Sequence, residues 1–532
     1  EYNDRGEVCT KFYYGLEGEL VPRKDTGYAV AAYQDDEYGR TVSVRYYDAE
    51  KQPVISAEDH CAGYEYSYDE EGNREYIRYI GTDGELMIRR DLGYAQVRYD
   101  YDSNGNIVKG EYFDKEKGKN AKPLLRKERG YASYTSEYDE NGNWLESCYY
   151  GLAGEPVLRQ DEGYFRIINE YNDEGRVISQ KFYGIHDAAS MDDPDDGLLL
   201  VSTKYGCAGF LNDYVDKFDG DEKEDNIFEF EYEEDERVLK KITTYIGTDG
   251  EPVVRRDLGY AKVEAVYDTE DRALSAVYYD VSGITPIPRK EGGYAAYRNW
   301  YENGRWVKGE YYGADGMLIS RNDAGYAVIE NEYDEYGNRI SEKYYDENYA
   351  PVISTKYHCA GFVSGYDEAG KKTHVHYLDT DGKMMMRRDL GYAQMTIGYD
   401  SVGNKVSESY FDTKGKPAVW KKGGYASYVD KYENARWTEG RYYDKKGRLT
   451  QRADEGYAVL KNKYDEYGQR ITQSYYDASE ELKPVVSTKH HCAGFQFEYD
   501  ERGNKVYVGY LGVDGNLMVR RDLGYAQAVM EY

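Results

Sequence analysis

Residues 130–150 read GYASYTSEYDENGNWLESCYY. Two short runs rich in aromatic and small residues flank the segment Asp139–Asn143, which has the pattern Asp-x-x-Gly-Asn. In such a segment the Asp can cap a turn and the Gly tolerates a positive φ, as a β-hairpin with a bulge requires. The stretch therefore predicts two antiparallel strands joined by a tight turn.

A later copy shows the periodicity of the strands themselves. Along residues 393–399, larger apolar side chains alternate with smaller or polar ones. This period of two is the signature of a half-buried β-strand. A repeat length near 33 residues also occurs in helical repeat proteins, but Gly-rich turns recur about every dozen residues and no helical stripe is present. The sequence is therefore predicted to be all-β.

Two markers show that this stretch is one copy of a repeat. An aromatic pair that ends the second strand recurs fifteen times, mostly at steps of 33 residues. The first members of these pairs include Tyr46, Tyr112, Tyr149, Tyr311, Tyr344 and Tyr410. A Gly-aromatic pair also recurs fifteen times, as at Gly93-Tyr94, Gly259-Tyr260 and Gly391-Tyr392. About fifteen hairpin repeats are predicted, with the aromatic pairs and the Gly-aromatic pairs forming the structural core.

The repeats come in four kinds that recur in order. The string RRDLGYA begins at Arg89, Arg255, Arg387 and Arg520, which indicates a longer period of about 132 residues. The chain is thus predicted to be one continuous array over residues 1–532, a solenoid or superhelical rod of consecutive hairpins. The approximate four-repeat blocks are residues 1–130, residues 131–293 with acidic insertions, residues 294–424 and a truncated block 425–532.

The composition indicates what fills such a thin array and excludes some partners. The 532 residues include 65 Tyr and 56 Gly but only 11 Pro. Tyrosine buries a large apolar ring and keeps its hydroxyl near water, so it suits a structure in which every side chain lies close to a surface. The net charge of −31 disfavours nucleic acid, whose phosphates attract surplus Lys and Arg. No apolar run of about 18 residues predicts a membrane span.

Charged and sulfur-containing residues near the Gly-aromatic pair allow two interpretations each. In RRDLGYA the adjacent Arg and Asp point to opposite faces of an extended chain, so each is predicted to pair with a neighbouring repeat, in ladders of ion pairs with Arg stacked on Tyr. The alternative is an anionic groove for cations. Four repeats carry a Cys two residues before the Gly, as at Cys61. The preceding His60 allows a zinc or copper interpretation, but a small hydrophobe in an apolar pocket is favoured. No metal and no cofactor is predicted.

Two acidic stretches that interrupt the repeat are the candidate specific site. They are residues 186–196 and 212–226, which lie between the aromatic pairs at Phe182 and Tyr245. The candidate binding residues are Asp192, Asp193, Asp195, Asp196, Asp219 and Asp221. The alternative is a solvated loop, because insertions in repeat arrays fall on exposed turns. No nucleophile occurs with a His and an orienting acid in a non-repeated context, so no enzyme activity is predicted.

The elements Tyr-Asp-x-x-Gly-Asn and Tyr-Tyr-Asp-x-x-Gly, as in residues 138–143, resemble the YD repeats of Rhs and teneurin-type proteins. The likeness covers nearly the whole chain. It implies a spiral of β-hairpins, closed into a shell in some members, and a secreted or cell-surface protein. The longer period and the added Gly-Tyr-Ala element depart from that family, which makes an open rod or superhelix at least as favoured as a closed shell.

These patterns predict a non-enzymatic extracellular structural protein of a bacterial surface, either a stalk or the subunit of a fibre. The alternative is an adhesin or carbohydrate-binding array in which exposed Tyr columns stack on glycans. Buried rings favour the first, whereas shallow pockets lined by two or three Tyr favour the second. Neither end, at residues 1–14 or 522–532, has a polar cap. The expected partners are therefore further repeats or copies of the same chain, joined head to tail.

Overall fold

The structure is a computed structural model that describes residues 9–185, 198–215, 228 and 239–531. Within these residues it contains thirty β-strands and one short 3-10 helix, Gly118–Asn120. The strands are β1 (Thr10–Tyr14), β2 (Val30–Asp35), β3 (Thr41–Tyr47), β4 (Gly63–Tyr68), β5 (Arg74–Ile80), β6 (Gln96–Tyr101), β7 (Ile107–Phe113), β8 (Ser133–Tyr138), β9 (Trp144–Tyr150), β10 (Arg166–Tyr171), β11 (Val177–Tyr183), β12 (Gly209–Val215), β13 (Leu239–Ile246), β14 (Lys262–Tyr267), β15 (Ala273–Tyr279), β16 (Ala296–Glu302), β17 (Arg305–Tyr312), β18 (Val328–Tyr333), β19 (Arg339–Tyr345), β20 (Gly361–Tyr366), β21 (Lys372–Leu378), β22 (Gln394–Tyr399), β23 (Lys405–Phe411), β24 (Ser427–Glu433), β25 (Arg436–Tyr443), β26 (Val459–Tyr464), β27 (Arg470–Tyr476), β28 (Gly494–Tyr499), β29 (Lys505–Leu511) and β30 (Gln527–Glu531). No helix among the described residues is long and apolar enough to span a membrane.

The chain forms two compact units, each an antiparallel meander. The first unit comprises Glu1–Asp91, Ser364–Tyr377 and Met384–Tyr532, and the second comprises Leu92–Val363 and Leu378–Lys383. In the second unit, strands β6 to β20 pair in sequence order. In the first unit, strands β21 to β30 and strands β1 to β5 do the same. The prediction of an all-β chain of consecutive hairpins is confirmed.

Each hairpin is closed by the predicted turn chemistry, as β8 and β9 illustrate. The Asp139 carboxylate accepts hydrogen bonds from the backbone N–H groups of Asn141 and Asn143, at 2.9 and 2.8 Å, and from the Asn143 side-chain amide at 2.8 Å. These donors lower the pKa of Asp139, the side-chain amide of Asn143 most of all. A bulge between Glu137 and Tyr138 precedes the turn, as is common for hairpins with longer loops.

Apart from β13 and β14, which pair over six residues, adjacent hairpins share a shorter ladder than the two strands within one hairpin. Strands β9 and β10 pair at only three positions, from Cys148 opposite Arg166 to Glu146 opposite Ile168. After β9 the chain turns back on itself, and Pro156 bridges Tyr150 from the outer side. Leucine at the same place makes the same single bridge, as in Leu318 opposite Tyr312, so this returning segment is not a full strand whichever residue it carries.

The first and last strands pair with each other within the first unit. Strand β1 lies antiparallel to β30 over five residue pairs, with Tyr13 opposite Ala528. This is the register found inside an ordinary hairpin, where Tyr46 of β3 lies opposite Ala31 of β2. The prediction of an open array with unpaired strand edges at both ends is therefore wrong for these two strands. The reason is that β30 is the first strand of a repeat and β1 is a second strand, so their edges are complementary.

Candidate functional site

A column of stacked aromatic rings forms the interior face of each unit. Its members alternate between the Tyr of the Gly-Tyr pair and the first aromatic residue of the aromatic pair. In part of the second unit the successive ring centroids lie 6.1, 5.0, 6.1 and 5.0 Å apart, through Tyr278, Tyr294, Tyr311, Tyr326 and Tyr344. These separations lie in the range of favourable aromatic pairs. The predicted packing of the two markers across adjacent repeats is confirmed.

The residues singled out as structural from the sequence all belong to this column or to the loop beneath it. Each of the following rings is at most 7% exposed: Tyr46, Tyr94, Tyr112, Tyr149, Tyr260, Tyr311, Tyr344, Tyr392 and Tyr410. The glycines Gly93, Gly259 and Gly391 have φ values of +87°, +88° and +86°. A Cβ atom at Gly391 would lie 2.7 Å from the carbonyl oxygen of Val419, so both the conformation and the space require glycine.

The alternative prediction of a carbohydrate-binding array requires the repeated tyrosines to be exposed in columns. These tyrosines are the buried rings of the aromatic column. Strongly exposed tyrosines occur instead at hairpin turns, at Tyr38, Tyr336 and Tyr467, which are 69 to 80% exposed. Single exposed rings at turns do not form a column. Exposed Tyr columns are therefore not a feature of the described residues.

Arginine side chains flank the column, but they pair differently from the prediction. In the first RRDLGYA string, the Arg89 guanidinium lies 4.7 Å from the centroid of the Tyr79 ring and donates to Asp91 at 2.6 Å. The same pairing within one repeat joins Arg255 to Asp257 at 2.8 Å. The prediction that the Asp of this string pairs with a neighbouring repeat is wrong, because its partner is the first Arg of the same string. Arg89 and Asp91 are two residues apart, a spacing that places side chains on the same side of an extended chain, so the first Arg of the string can reach the Asp whereas the adjacent Arg cannot.

The cysteine repeats correct the alignment that was read from the sequence. Backbone hydrogen bonds run from Ser56 N–H to Cys61 C=O and from Arg23 N–H to Tyr28 C=O, both at 2.9 Å. Cys61 therefore occupies the place of a column tyrosine, and His60, with a φ of +55°, occupies the place of the glycine. Gly63 is therefore not the repeated loop glycine, which corresponds to His60, three residues earlier. The sequence alignment fails here because the Gly-aromatic pair in Cys-Ala-Gly-aromatic looks like the Gly-aromatic marker of the other repeats.

The four repeated thiols are buried as the apolar interpretation predicted. Cys61, Cys207, Cys359 and Cys492 are at most 1% exposed. Burial raises the pKa of the Cys61 thiol to about 11, so the unreactive protonated form dominates at neutral pH. The ring missing from the column is supplied by the residue two positions earlier in the second unit, where Tyr357 stacks on Tyr344 at 5.3 Å.

The acidic candidate site lies almost entirely outside the described residues. This is true of the following predicted binding residues: Asp192, Asp193, Asp195, Asp196, Asp219 and Asp221. The second acidic stretch was predicted to begin at Asn212, but Asn212 and Asp213 belong to the regular strand β12. Within the described part of the chain, no group of three or more His, Cys, Asp or Glu side chains is arranged to hold a metal ion.

A shallow depression lies on hairpin β16–β17 of the second unit. It encloses about 300 Å³ and is lined by Tyr294, Tyr297, Asn299, Tyr301, Trp306 and Tyr311. The column rings Tyr294 and Tyr311 are buried, whereas the other four side chains are half-buried. Residues 297, 299 and 301 share one face of β16, because alternate side chains of a strand point the same way.

Hydrogen bonds fix the polar centre of this depression. The indole N–H of Trp306 donates to the side-chain carbonyl of Asn299 at 3.0 Å. The amide NH₂ of Asn299 donates in turn to the backbone carbonyl of Ala273 in the preceding hairpin, at 2.9 Å. Gly309 makes room for the indole, since a Cβ atom there would lie 2.6 Å from Cζ2 of Trp306. The aromatic walls are thus held rigidly around a satisfied amide.

The other two hairpins with a Trp at the position of Trp306 have a different central residue, and their indoles donate to the backbone carbonyls of Glu146 and Glu439. The equivalent of Asn299 is Ser136 in hairpin β8–β9 and Asp430 in hairpin β24–β25. The Ser136 hydroxyl is 2.6 Å from the Ser147 hydroxyl. Sequence reasoning used the tryptophans only as markers of one repeat kind. The signal that could have located the site is the pattern Tyr297, Asn299, Tyr301 on strand β16, in which a polar residue lies between two tyrosines on one face of the strand.

Comparisons with known proteins give only a distant likeness. No protein-family model matches the sequence, and no curated protein matches it. Among solved structures, the chain is similar to TcdB2-TccC3-TEV, with 11% identity, a TM-score of 0.22, and coverage of 97% of this chain and 28% of that one. For TcdB2-TccC3-Cdc42 the identity is 12%, the TM-score 0.21, and the coverage 96% and 30%. For the Photorhabdus luminescens Tc holotoxin pore the identity is 11%, the TM-score 0.18, and the coverage 92% and 26%. The chain thus spans less than a third of the length of those chains.

Proposed function

We propose that this chain is a non-enzymatic structural scaffold of the extracellular or cell-surface kind, built from YD-like hairpin repeats. The observation that supports the proposal is the aromatic column within each unit. Within the described residues, repeats contribute well-buried rings to contacts with their neighbours, at separations such as 5.9 Å between Tyr442 and Tyr457 of the next repeat. Because the repeated aromatic residues serve to pack the repeats against one another, they support a rigid framework rather than a single reactive centre.

The energetics of the column agree with a scaffold. Burying one Tyr ring removes roughly 150–250 Å² from water, which is worth about 4–6 kcal/mol before entropic and hydroxyl costs at ~25 cal/mol per Å². Successive repeats each add such a contribution, so stability accumulates along the array. The flanking Arg–Asp pairs, such as Arg321 with Asp323 at 2.6 Å, are local to one repeat and hold the loop that presents the column tyrosine.

Hydrogen exchange provides a direct test of rigidity. A scaffold is expected to show similarly slow exchange of strand amides in every hairpin of a unit, because each hairpin contacts its neighbours through the same column. One hairpin that exchanges orders of magnitude faster than its neighbours would contradict the scaffold proposal. Sedimentation of the purified chain tests the form of the scaffold. The pairing of β1 with β30 supports single-chain particles, and filaments would instead support a head-to-tail fibre.

The depression around Trp306 favours carbohydrate binding as a second candidate function. Its half-buried rings, Tyr297, Tyr301 and Trp306, offer ring faces of the kind that stack on sugars, and Asn299 offers polar atoms at the centre. A glycan array probed with the wild-type chain and with Trp306→Ala tests this function. Trp300→Ala is the matched control, because Trp300 lies on the opposite face of the same strand. Binding lost in the first variant and kept in the second would support this candidate.

A further inference from the structure

A polar position six residues after the loop glycine links adjacent hairpins. In four hairpins an asparagine at this position donates its side-chain amide to a backbone carbonyl at the start of the preceding hairpin's second strand. The bonds run from Asn169 to Trp144, from Asn212 to Val177, from Asn299 to Ala273 and from Asn462 to Trp437, at 2.8 to 3.0 Å. Asn331 also occupies this position, but its Nδ2 is buried without a hydrogen-bond partner among the described residues, so four of the five asparagines supply an N–H donor to a carbonyl acceptor.

Hairpin β24–β25 has a carboxylate at this position. Asp430 has no N–H to donate, and its Oδ1 is buried without a hydrogen-bond partner among the described residues. The ladder between β23 and β24 has the same register as the ladder between β9 and β10, so the carbonyl of Lys405 corresponds to that of Trp144. Two hydrogen-bond acceptors, the Asp430 carboxylate and the Lys405 carbonyl, thus stand where the four asparagine hairpins have a donor and an acceptor. A group with positive charge or a proton is the missing complement.

Aromatic rings surround the Asp430 carboxylate. Tyr428 and Tyr432 lie on the same face of β24, and Trp437 and Tyr442 follow on β25 in the register that places Trp306 and Tyr311 in the sister hairpin. The side chains of Tyr428, Tyr432 and Trp437 are half-buried, so the rings remain accessible. At the opposite residue, Gly440, a Cβ atom would lie 2.8 Å from Asp430 Oδ1 and 2.8 Å from Trp437 Cζ2, so glycine lets the carboxylate and the indole pack closely against the backbone of β25.

The cations nearest to Asp430 are already paired. The Lys405 ammonium is bound by Glu408 and lies 5.5 Å from the centroid of the Tyr428 ring.

Arg452, from the loop after β25, is bound by Asp454 at 2.8 Å and by Glu455 at 3.1 Å. Burial raises the pKa of Asp430 to about 6. The indole N–H of Trp437 and the positive charges of Lys405 and Arg452 act to lower that pKa, but burial outweighs them. The carboxylate is thus ionised above about pH 6 and has no cation of its own.

We propose that the Asp430 pocket binds a small quaternary ammonium group, with the carboxylate opposite the charge and the rings of Tyr428, Tyr432 and Trp437 against its methyl groups. Aromatic faces attract such cations, and a desolvated site strengthens the attraction. A calcium ion is a poor fit because it requires six to eight oxygen ligands. A neutral sugar would leave the buried charge uncompensated. The site is independent of the scaffold function.

Titration calorimetry of the intact chain with tetramethylammonium chloride tests the proposal, with sodium chloride at the same concentration as the reference. We expect one saturable site at pH 8 and about tenfold weaker binding at pH 5, where a carboxyl group of pKa about 6 is mostly protonated. Asp430→Asn should weaken binding at least tenfold and fold normally, since Asn occupies this position in sister hairpins. Ser136→Asn, the matched control in hairpin β8–β9, should leave binding unchanged.

Neutral and alternative ligands decide between the proposed chemistry and its rivals. Choline should bind at least tenfold more tightly than its uncharged isostere 3,3-dimethylbutanol. A trimethyllysine amide measured beside choline would show which source of the ammonium group the pocket prefers. Equal binding of choline and the isostere, binding unaffected by Asp430→Asn, or no saturable binding at pH 8 would each overturn the proposal. Saturable binding of a neutral oligosaccharide that persists in Asp430→Asn, with no ammonium binding, would overturn it in favour of a sugar site.

Discussion

Hairpins β16–β17 and β24–β25 share a framework and differ at its polar centre. Both place a tyrosine opposite the column ring, with Tyr297 facing Tyr311 and Tyr428 facing Tyr442, and both have a bulge two residues before the turn. One has an amide, Asn299, whose hydrogen bonds are satisfied, and the other has a buried carboxylate with an unpaired oxygen. The comparison indicates that the column and the register fix the fold, while the central position is free to determine what the depression binds.

The largest expected effect comes from the shared framework. Tyr311→Ala and Tyr442→Ala each remove a column ring that is at most 6% exposed. We expect each to lower the free energy of unfolding of its unit by about 3–5 kcal/mol, the usual cost of truncating a buried aromatic side chain. Urea denaturation followed by tyrosine fluorescence, with hydrogen exchange to assign the loss to the hairpin, measures the change.

The exposed strand ends Glu302 and Glu433 provide the controls for that prediction. Their replacement by Ala should change the free energy of unfolding by less than about 0.5 kcal/mol, because neither side chain is buried. If the two tyrosine variants differed from each other by several kcal/mol, the view that both hairpins share one framework would be contradicted. Equal effects of Tyr442→Ala and Glu433→Ala would refute the assignment of the column as core.

A large part of this framework could be predicted from the sequence. The Asp-x-x-Gly-Asn turns and the period-two strands are local signals, and the fifteenfold recurrence of the aromatic pairs identified the column members such as Tyr344. The cysteine repeats could not be aligned, because the column position of Cys61 is set by backbone hydrogen bonds in the loop rather than by residue type. The pairing of β1 with β30 joins residues some 500 positions apart, and no local pattern encodes it.

The candidate site was missed for a similar reason. The roles of Asn299 and Asp430 depend on a carbonyl of the preceding hairpin, which a sequence read one repeat at a time does not reveal. The acidic stretch around Asp192 is the site predicted from the sequence, because a specific site is expected where the repeat is interrupted. The structure shows a second way to make a site, in which one polar substitution occurs inside an otherwise regular repeat.

A methyl group inserted opposite the central residue should have the next largest effect. Gly309→Ala and Gly440→Ala would place a Cβ atom 2.6 Å from Trp306 Cζ2 and 2.8 Å from Trp437 Cζ2, respectively. Because each indole must move, we expect a loss of about 1–3 kcal/mol in both hairpins. Chemical denaturation measures the loss, and a near-ultraviolet dichroism change reports the displaced indole. No loss in either variant would show that the depressions are not rigid.

The central residue itself should produce a smaller, pH-dependent difference between the two hairpins. The raised pKa of Asp430 means that the folded chain binds a proton more tightly than the unfolded chain, whose Asp pKa is about 3.9. Wild-type stability from this group is therefore present below about pH 4 and is lost as pH rises to about 6. Asp430→Asn should remove that loss and stabilise the fold at pH 7 by on the order of 1 kcal/mol, after allowance for solvent screening.

Asn299→Asp is the reciprocal variant and should introduce the same loss into hairpin β16–β17. The difference in unfolding free energy between each variant and the wild type, measured from pH 4 to pH 8, isolates the effect, since the turn aspartates are common to all three proteins. A difference that does not vary with pH would contradict the buried-carboxylate assignment. Tetramethylammonium at saturating concentration should reduce the difference between wild type and Asp430→Asn at pH 7.

The smallest expected effect distinguishes the two hairpins at their turns. The loop of hairpin β16–β17 is Asn303-Gly304, with φ values of +49° and +74°, whereas the loop of β24–β25 is Asn434-Ala435, with +50° and +60°. A left-handed conformation costs an alanine about 1 kcal/mol and costs a glycine almost nothing, although glycine loses more backbone entropy on folding. Ala435→Gly should therefore stabilise its hairpin by roughly 0.5 kcal/mol, and Gly304→Ala should destabilise the other by about 0.5–1 kcal/mol. Denaturation midpoints of the two variants should move in opposite directions. If both midpoints moved in the same direction, the two turns would differ in conformation. The structural similarity of the two hairpins would then not extend to their turns.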